Sequence, residues 1–555
     1  MRRAFACAAL ALLVSSAARS APRSVEIANS ALWDHIYGGW LGQAIGVTFG
    51  GPTEFGLSWP PPELTYYDHT PVQCADQDDL YVEFVTLLAL EDRGPSFSGK
   101  DIGRLWPEYL SPGIIWVANR AAYENILKGI LPPDSGHPAF NRSYKEIDAQ
   151  IEADIFGLVA PGMIDVAARN AFEGGHVTNW GDGVYGAVFV AACYAAALYA
   201  ESPEEIVRLA LATVPAQSEY AGMVRRMLAW RKQFGDWRTA REFLADRYLK
   251  DNSTVSAIIN SGAVIIGLLW GDGDFERTAQ ISTMCGWDSD CNPSSACGIL
   301  GCWLGAEKIP GRWKDPMSDI YRNNNLPKLP KEISLTDLAH RTFMVAERFL
   351  EASGAERVDF THGVFGWRIP VEEPVPVPFE SATPERIAEW QSQATAKRIG
   401  DAVAKFAPGW TVRDCGPDMD PGVLDSYEGR GPVLVLHPLD RDTSCKLVRR
   451  VSGGAGPATL KLTVTSYDGS PEADWVLRVT VGGKALLEKT IGRVDGQIEW
   501  QESSVDLDHV LAAGPAEIVV EDAPNGWAWE AAYIAELSLQ GTVDAPVKDA
   551  GASGE

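Results

Sequence analysis

Between about residue 27 and residue 355 the apolar positions recur at helical spacing or fill whole segments. In "YGGWLGQAIGVTFGG" the glycines Gly38, Gly42, Gly46 and Gly50 stand four apart, on one helix face, where a neighbouring backbone can come close. "GVYGAVFVAACYAAALYA" and "SGAVIIGLLWG" are apolar all round, as helices buried on every side are. "SPEEIVRLALATV" opens with Ser-x-x-Glu, a capping box ahead of an amphipathic run. The pattern predicts an all-α domain over 27–355 with buried central helices.

The pattern then changes. Five prolines fall between Pro370 and Pro384, which predicts a stiff, proline-rich connector over 367–399. Beyond it the period is two. In "TLKLTVTSY", Leu460, Leu462 and Val464 alternate with Lys461, Thr463 and Thr465. "WVLRVTVGGKALLEKTI" turns around Gly482-Gly483 as a hairpin does, and "AEIVVEDAPNGWAWEAAYIAELSLQG" adds further strands. Residues 400–541 are expected to form a β-sandwich, and 542–555 a disordered tail.

The length of 555 residues already favours more than one domain. A net charge of −26 disfavours nucleic acid or an anionic membrane as the main partner, since both reward Lys and Arg. "MRRAFACAALALLVSSAARSAPRS" has the basic start, apolar stretch and small-residue end of a secretory signal, cut near residue 21; a secreted or periplasmic protein is expected. No later stretch is long and apolar enough to span a bilayer. Cys285, Cys291, Cys297 and Cys302 lack the spacing of a structural zinc site, and Cys415 with Cys445 is the favoured disulfide.

One short stretch stands out against this background. In "CGWDSDCNPSSACGILGCWLG" the only charged residues are Asp288 and Asp290, inside a segment otherwise fit for a packed interior. A second acidic pair, Asp78-Asp79, opens an amphipathic run in "CADQDDLYVEFVTLLALED". Either pair could supply a helix N-cap, worth about 1 kcal/mol. One cap needs one carboxylate, however, and a second one buried without a partner costs several kcal/mol. Two such turns facing each other would repel unless a cation lay between them, and carboxylate oxygens select Mg²⁺, Mn²⁺ or Ca²⁺ over zinc.

These blocks resemble the bacterial ADP-ribosylglycohydrolase family, which includes the enzyme that reactivates ADP-ribosylated dinitrogenase reductase. "GWDSDCNPSSACGILGCWLGA" is similar to its Gly-Trp-Asp-Thr-Asp-Cys-Asn segment, and "QDDLYVEF" to its Thr-Asp-Asp-type motif. "GGWLGQAIGVTFGGPTEFG", "ADIFGLVAPG" and "NWGDGVYGAVFVAACYAAA" resemble three further blocks, in the same order. The resemblance implies an all-α catalytic domain with two divalent cations, Mg²⁺ or Mn²⁺. By position, Gln77, Asp78, Asp79, Asp288, Asp290 and Cys291 would be the metal set, with Gln77 and Cys291 standing where many members have Thr. Glu54, with Asp288, would be catalytic. In "GGHVTNWGDGVYG", Asn179 stands where relatives commonly carry His, three residues after His176; His176, Asn179, Asp182, Gly183 and Tyr185 are the expected substrate contacts.

The expected reaction is metal-assisted hydrolysis of a glycosidic bond at an anomeric carbon, on an ADP-ribosyl conjugate or another glycoside. The β-domain resembles galactose-binding-like jelly rolls, with Trp527 and Trp529 on a loop, and offers either a polysaccharide contact or a passive cover. A non-catalytic carbohydrate-binding protein is the alternative of a different class.

Overall fold

The computed structural model describes residues 24–66, 74–361, 363–452, 456–512, 514–527 and 529–541. The expected signal segment, 1–21, and tail, 542–555, lie outside the described residues. The chain divides into two compact units, Met1–Pro384 and Glu385–Glu555.

The first unit is a helical body. Helix α1 (Asn29–Gly50) lies against α2 (Cys291–Leu304), and the glycine period decides how. A Cβ built on Gly38, Gly42, Gly46 or Gly50 would strike, in turn, the main chain at Gly301, Cys297, Pro293 and Ser289. Both series step by four in opposite directions along the chain, so the helices run antiparallel with backbone against backbone. Neither helix has a polar face. From Gly38 to Gly50 every residue of α1 is buried, and so is every residue of α2 from Cys291 to Cys302. The helices Asp182–Ala197 and Ala257–Gly271 are the two apolar-all-round segments, and their buried side chains belong to the same core.

Two small sheets sit within this helical unit, which the apolar pattern did not predict. One orders Ser24–Ala28, Val364–Pro370 and Glu356–Thr361, all antiparallel. The other joins Cys74–Ala75 in parallel to Ile320–Arg322, which pairs antiparallel with Glu332–Ser334.

The stretch expected as a connector over 367–399 is mostly regular structure. Its start belongs to the strand Val364–Pro370 and its end to the helix Pro384–Phe406. Residues 371–383 are extended, yet strapped to the helical body. The Val375 N–H donates to Asp165 Oδ1 (2.8 Å) and the Val377 N–H to the Thr213 carbonyl (2.9 Å).

The second unit carries two five-stranded antiparallel sheets around one core, a β-sandwich as expected. One sheet orders Lys484–Ile491, Trp475–Val481, Ala516–Ala523, Cys445–Val451 and Thr411–Arg413. The other orders Gln501–Asp506, Ala458–Thr465, Ala532–Gly541, Val433–Leu436 and Gly422–Leu424. Leu460, Leu462 and Val464 are buried as their alternation predicts. The expected Cys415–Cys445 disulfide is not formed. Both are free thiols, and Cys415 is held below the ordinary thiol range by its hydrogen bond with Cys445.

The glycine interface generates a prediction. Gly46→Ala adds a methyl group against the Pro293 carbonyl, where no flexible side chain can yield. We expect a loss of about 3 kcal/mol by chemical denaturation, although Ala is the better helix former by about 1 kcal/mol. A variant as stable as the parent would mean that the helices are not in backbone contact.

Candidate metal centre and active site

The antiparallel packing of α1 on α2 brings the end of one helix to the start of the other. Gly50, the last residue of α1, faces Ser289, so the loop leaving α1 runs beside the Asp288–Asp290 turn. The Thr53 and Ser289 hydroxyls are 2.9 Å apart, and the Phe55 N–H donates to the Trp287 carbonyl at 3.1 Å. Glu54 lies between these two ties. The turn itself is held from behind by Asn260 of the Ala257–Gly271 helix. Its Oδ1 accepts from the Asp288 N–H (3.3 Å) and from Asn292 Nδ2 (3.0 Å), while its Nδ2 donates to the Thr254 and Ser256 carbonyls.

The other acidic pair opens α3 (Asp78–Arg93). Gln77 precedes that helix and is gripped by Tyr321, whose hydroxyl accepts from the Gln77 N–H (3.0 Å) and donates to its carbonyl (3.2 Å). No side chain caps the start of either α3 or α2. Capping therefore does not account for the aspartates.

What the two turns do is meet. Carboxylate oxygens of Asp78 and Asp79 lie with Cys291 Sγ within 4.8 Å of one another, and those of Asp288 and Asp290 lie with the same sulfur within that limit. Both oxygens of Asp79, one of Asp288 and one of Asp290 are buried with no hydrogen-bond partner. Orphaned buried carboxylate oxygens from two segments, converging on one point, fit a hard divalent cation. The thiol is the poorest donor of the set, and burial pushes it well above its ordinary range.

These groups open into a cavity of about 620 Å³. Glu54, Asp78, Asp288 and Asp290 line it, together with Asp76 and Asp148. Asp148 accepts the Asn119 N–H at 2.9 Å and leaves its second oxygen without a partner. Ile147, Ile151 and Val255 form apolar wall, and Phe55 and Trp116 reach the mouth.

Of the expected substrate contacts, none lines this cavity. Asn179 is fully engaged in the wall behind it. Its Oδ1 accepts from the Ala149 N–H (3.0 Å) and the Thr178 hydroxyl (2.7 Å), and its Nδ2 donates to the Tyr144 and Glu146 carbonyls. His176 Nε2 meets Glu380 Oε1 at 2.9 Å, and the Tyr185 hydroxyl accepts the Glu380 N–H at 2.6 Å. These two residues fasten the extended 371–383 strap. Asp182 accepts the Tyr220 N–H (3.1 Å), and Gly183 leaves room for the Tyr144 carbonyl. Asp148, Asn260 and Trp116 were not expected from sequence. Only Asn260, a lone amide at the head of an otherwise apolar helix, left a signal that could have been followed.

A family model described as ADP-ribosylglycohydrolase matches residues 28–353. The chain belongs to the ADP-ribosylglycohydrolase family. Glycosidic-bond hydrolysis is the activity class that this membership carries. No curated protein matches the chain. Among solved structures, an ADP-ribosylglycohydrolase-related protein complex is 18% identical, with 57% of this chain and 99% of that chain covered at a TM-score of 0.41. Structures of carbohydrate-binding modules of the β-sandwich superfamily match at 13% identity, over 26% of this chain and 60% of that one, with a TM-score of 0.18. A GH26-CBM35 β-(1,4)-mannanase from Podospora anserina matches at 18% identity, over 25% and 28%, with a TM-score of 0.15. Among the described residues no helix is long and apolar enough to cross a membrane.

In this family member desolvation raises the pKa values of Glu54, Asp78, Asp79, Asp148, Asp288 and Asp290. Burial, then the Asp290 charge, raises Glu54 to about 7, and burial with Asp290 and Glu54 raises Asp78 to about 7. Asp288 rises to about 6 and Asp148 to about 7, in both cases chiefly by burial. Asp79 and Asp290 are pushed well above the carboxylate range by burial and by their neighbours.

Each of these groups titrates near pH 4 once unfolded. Between about pH 4 and pH 7 the folded chain therefore binds more protons than the unfolded chain, and cation-free stability should fall as pH rises through that window. Urea denaturation in chelator at pH 5, 6 and 7 should show the decline, and Asp148→Asn should flatten it. A stability that rises over that range in both proteins would contradict raised carboxyl pKa values in the cleft. Mn²⁺ or Mg²⁺ added at pH 7 should restore the lost stability, since it binds only the folded form.

Proposed function

We propose that this protein is a metal-dependent hydrolase that cleaves a glycosidic bond at an anomeric carbon, with two divalent cations, Mg²⁺ or Mn²⁺, in the acidic cleft. The observation that carries the reading is the meeting of Asp78, Asp79, Asp288 and Asp290, from turns about 210 residues apart in sequence, beside Glu54. Asp78, Asp79, Asp288 and Asp290 would hold the cations, with Gln77 and Cys291 at the edge of the set. Bound cations would supply Lewis acidity and a chelate for vicinal sugar hydroxyls.

The chain's own groups do the rest. Glu54, raised to about 7 by partial desolvation and by the Asp290 charge, takes the proton of the attacking water. Asp288 and its neighbours present negative charge to the positive centre that develops at the anomeric carbon. Tyr321 fixes Gln77, and Asn260 fixes the Asp288 turn, so that neither acidic turn has to be ordered as the reaction proceeds.

The β-sandwich suggests a second role for the chain, contact with glycan. Trp529, 48% exposed, stacks on Tyr467 with ring centroids 5.3 Å apart, and Tyr467 continues the row to Tyr533 and Tyr427. Stacked aromatic faces of this kind suit the apolar faces of sugar rings. Trp527 packs edge-on against His437 rather than joining that row.

Chelation followed by Mn²⁺ or Mg²⁺ add-back is the direct test of the metal role: turnover should vanish and return. Glu54→Gln should lower kcat by about 10²–10⁴-fold with cation binding retained. Turnover undiminished in chelator, or an Asp288→Asn, Asp290→Asn double variant as active as the parent, would end the proposal. For the β-sandwich, the full chain should co-sediment with insoluble polysaccharides and Trp529→Ala should not. Equal retention of the two would remove the aromatic row from glycan contact.

A further inference from the structure

The helix Trp237–Tyr248 contributes no residue to the wall of the cleft, yet it touches both of the segments that carry Glu54 and Asp288. Trp237, Arg238, Arg241 and Glu242 fall on one face of it at helical spacing. The Arg241 guanidinium lies 4.0 Å from the ring centroids of both Trp59 and Trp287, and its Nε donates to the Cys285 carbonyl at 3.0 Å. Around it, Trp59 Nε1 donates to Glu242 Oε1 (3.2 Å), Trp59 meets Trp237 edge-on with ring centroids 6.1 Å apart, and Arg238 pairs with Glu63.

Those partners sit next to the chemistry. Trp287 directly precedes Asp288 and holds a φ of +59°, and the Cys285 carbonyl lies in the same turn. Trp59 belongs to the loop that follows Glu54. Between Glu54 and Tyr66 that loop forms neither helix nor strand, so side-chain contacts must fix it. Upstream of Glu54 the backbone is fixed by the glycine contact of α1 and by the Thr53–Ser289 hydroxyl pair. Downstream, after the Phe55 N–H bond to the Trp287 carbonyl, contacts with the helix Trp237–Tyr248 take over.

Arginine suits this place and lysine would not. A guanidinium is planar, with faces that stack on aromatic rings while an in-plane N–H donates to a carbonyl; an ammonium is a compact charge with no face to offer. Arg241 is half-buried and Trp59 partly exposed, so their contact is not the filling of a core. What it does is join the loop after Glu54 to the turn before Asp288 through one rigid group.

We propose that Arg241 is a positioning residue for the cleft: its guanidinium couples Trp59 to Trp287 and so holds Glu54 in a fixed place beside the Asp288–Asp290 turn. The catalytic consequence rests on the hydrolase reading, in which Glu54 takes the proton of the attacking water and a small misplacement costs rate rather than binding. The clamp itself does not rest on that reading and is measurable without turnover.

Hydrogen exchange on the full chain with Mn²⁺ should show residues 54–62 exchanging about tenfold faster in Arg241→Met, with the Asn29–Gly50 helix unchanged. Trp59→Leu, which alters a partly exposed side chain and leaves the arginine in place, should do the same. An ADP-ribosyl conjugate of arginine and p-nitrophenyl glycosides serve as substrate probes. On whichever of these the parent hydrolyses, both variants should lose about tenfold in kcat, with KM and calorimetric Mn²⁺ affinity within about twofold of the parent. The two losses should not add in the double variant, and Arg241→Met should cost nothing further in a Glu54→Gln background. Unchanged exchange over 54–62 in both single variants, or a kcat loss that persists in full in the Glu54→Gln background, would overturn the inference. Faster exchange in Arg241→Met alongside a Glu54→Gln variant as active as the parent would uphold the clamp and remove Glu54 from the hydrolase reading instead.

Discussion

The contact on which the rest of the structure depends is between two main chains, those of the Asn29–Gly50 and Cys291–Leu304 helices. Four glycines on one helix meet the backbone of the other at intervals of four residues, so the separation is set by backbone atoms rather than by side chains that could repack. That rigidity matters because the ends of the two helices carry the chemistry. Glu54 leaves one helix and Asp288–Asp290 enters the other. The ties through Thr53, Ser289, Phe55 and Trp287 span only what the glycine contact has already brought together.

Burying these acids runs against the ordinary rules of a protein interior. Asp79, Asp288 and Asp290 are each no more than 5% exposed, and oxygens of all three lack hydrogen-bond donors. An apolar core of similar shape would be the more stable arrangement without cations, since desolvated charge costs several kcal/mol per ion. The chain offsets this cost elsewhere, in the continuous core formed by the fully apolar helices around the site. Asn260 and Tyr321 belong to the same arrangement. Each spends a buried polar group on fixing a turn rather than on neutralising it, which leaves the carboxylate oxygens themselves available.

How much of this could be read from the chain follows from the distance over which each feature is decided. The glycine period and the unexplained Asp288-Ser289-Asp290 were visible because each is a local anomaly, and their meanings needed only one partner. Leu460, Leu462 and Val464 were readable for the same reason. The expected substrate contacts of the 174–186 segment do not line this cavity, and their partners lie far away in the chain. Glu380, some 200 residues downstream, takes up His176 and Tyr185, and the wall at 144–149 takes up all of Asn179. The prolines after Pro370 announced a stiff, extended stretch, but its hydrogen bonds to Asp165 and Thr213 cannot be inferred from composition. Asp148 and Trp116 gave no sign, because an acid on a short helix and a tryptophan just ahead of a helix are ordinary until the cavity places them together.

The backbone around the cleft shows why its rim is specific in shape. Phe55, Asp76, Val117 and Trp287 all have positive φ, between +40° and +59°, and none is glycine. Each such residue costs about 1–3 kcal/mol and persists only where its surroundings over-determine it. Here the surroundings do. Asp76 accepts two hydrogen bonds from Asn324, Phe55 donates to the Trp287 carbonyl, and the Trp287 ring is pinned against Arg241. Replacing Phe55, Asp76 or Val117 by glycine would relieve strain and remove a cavity-lining side chain at once, so conformational ease and cleft shape are opposed at these three positions.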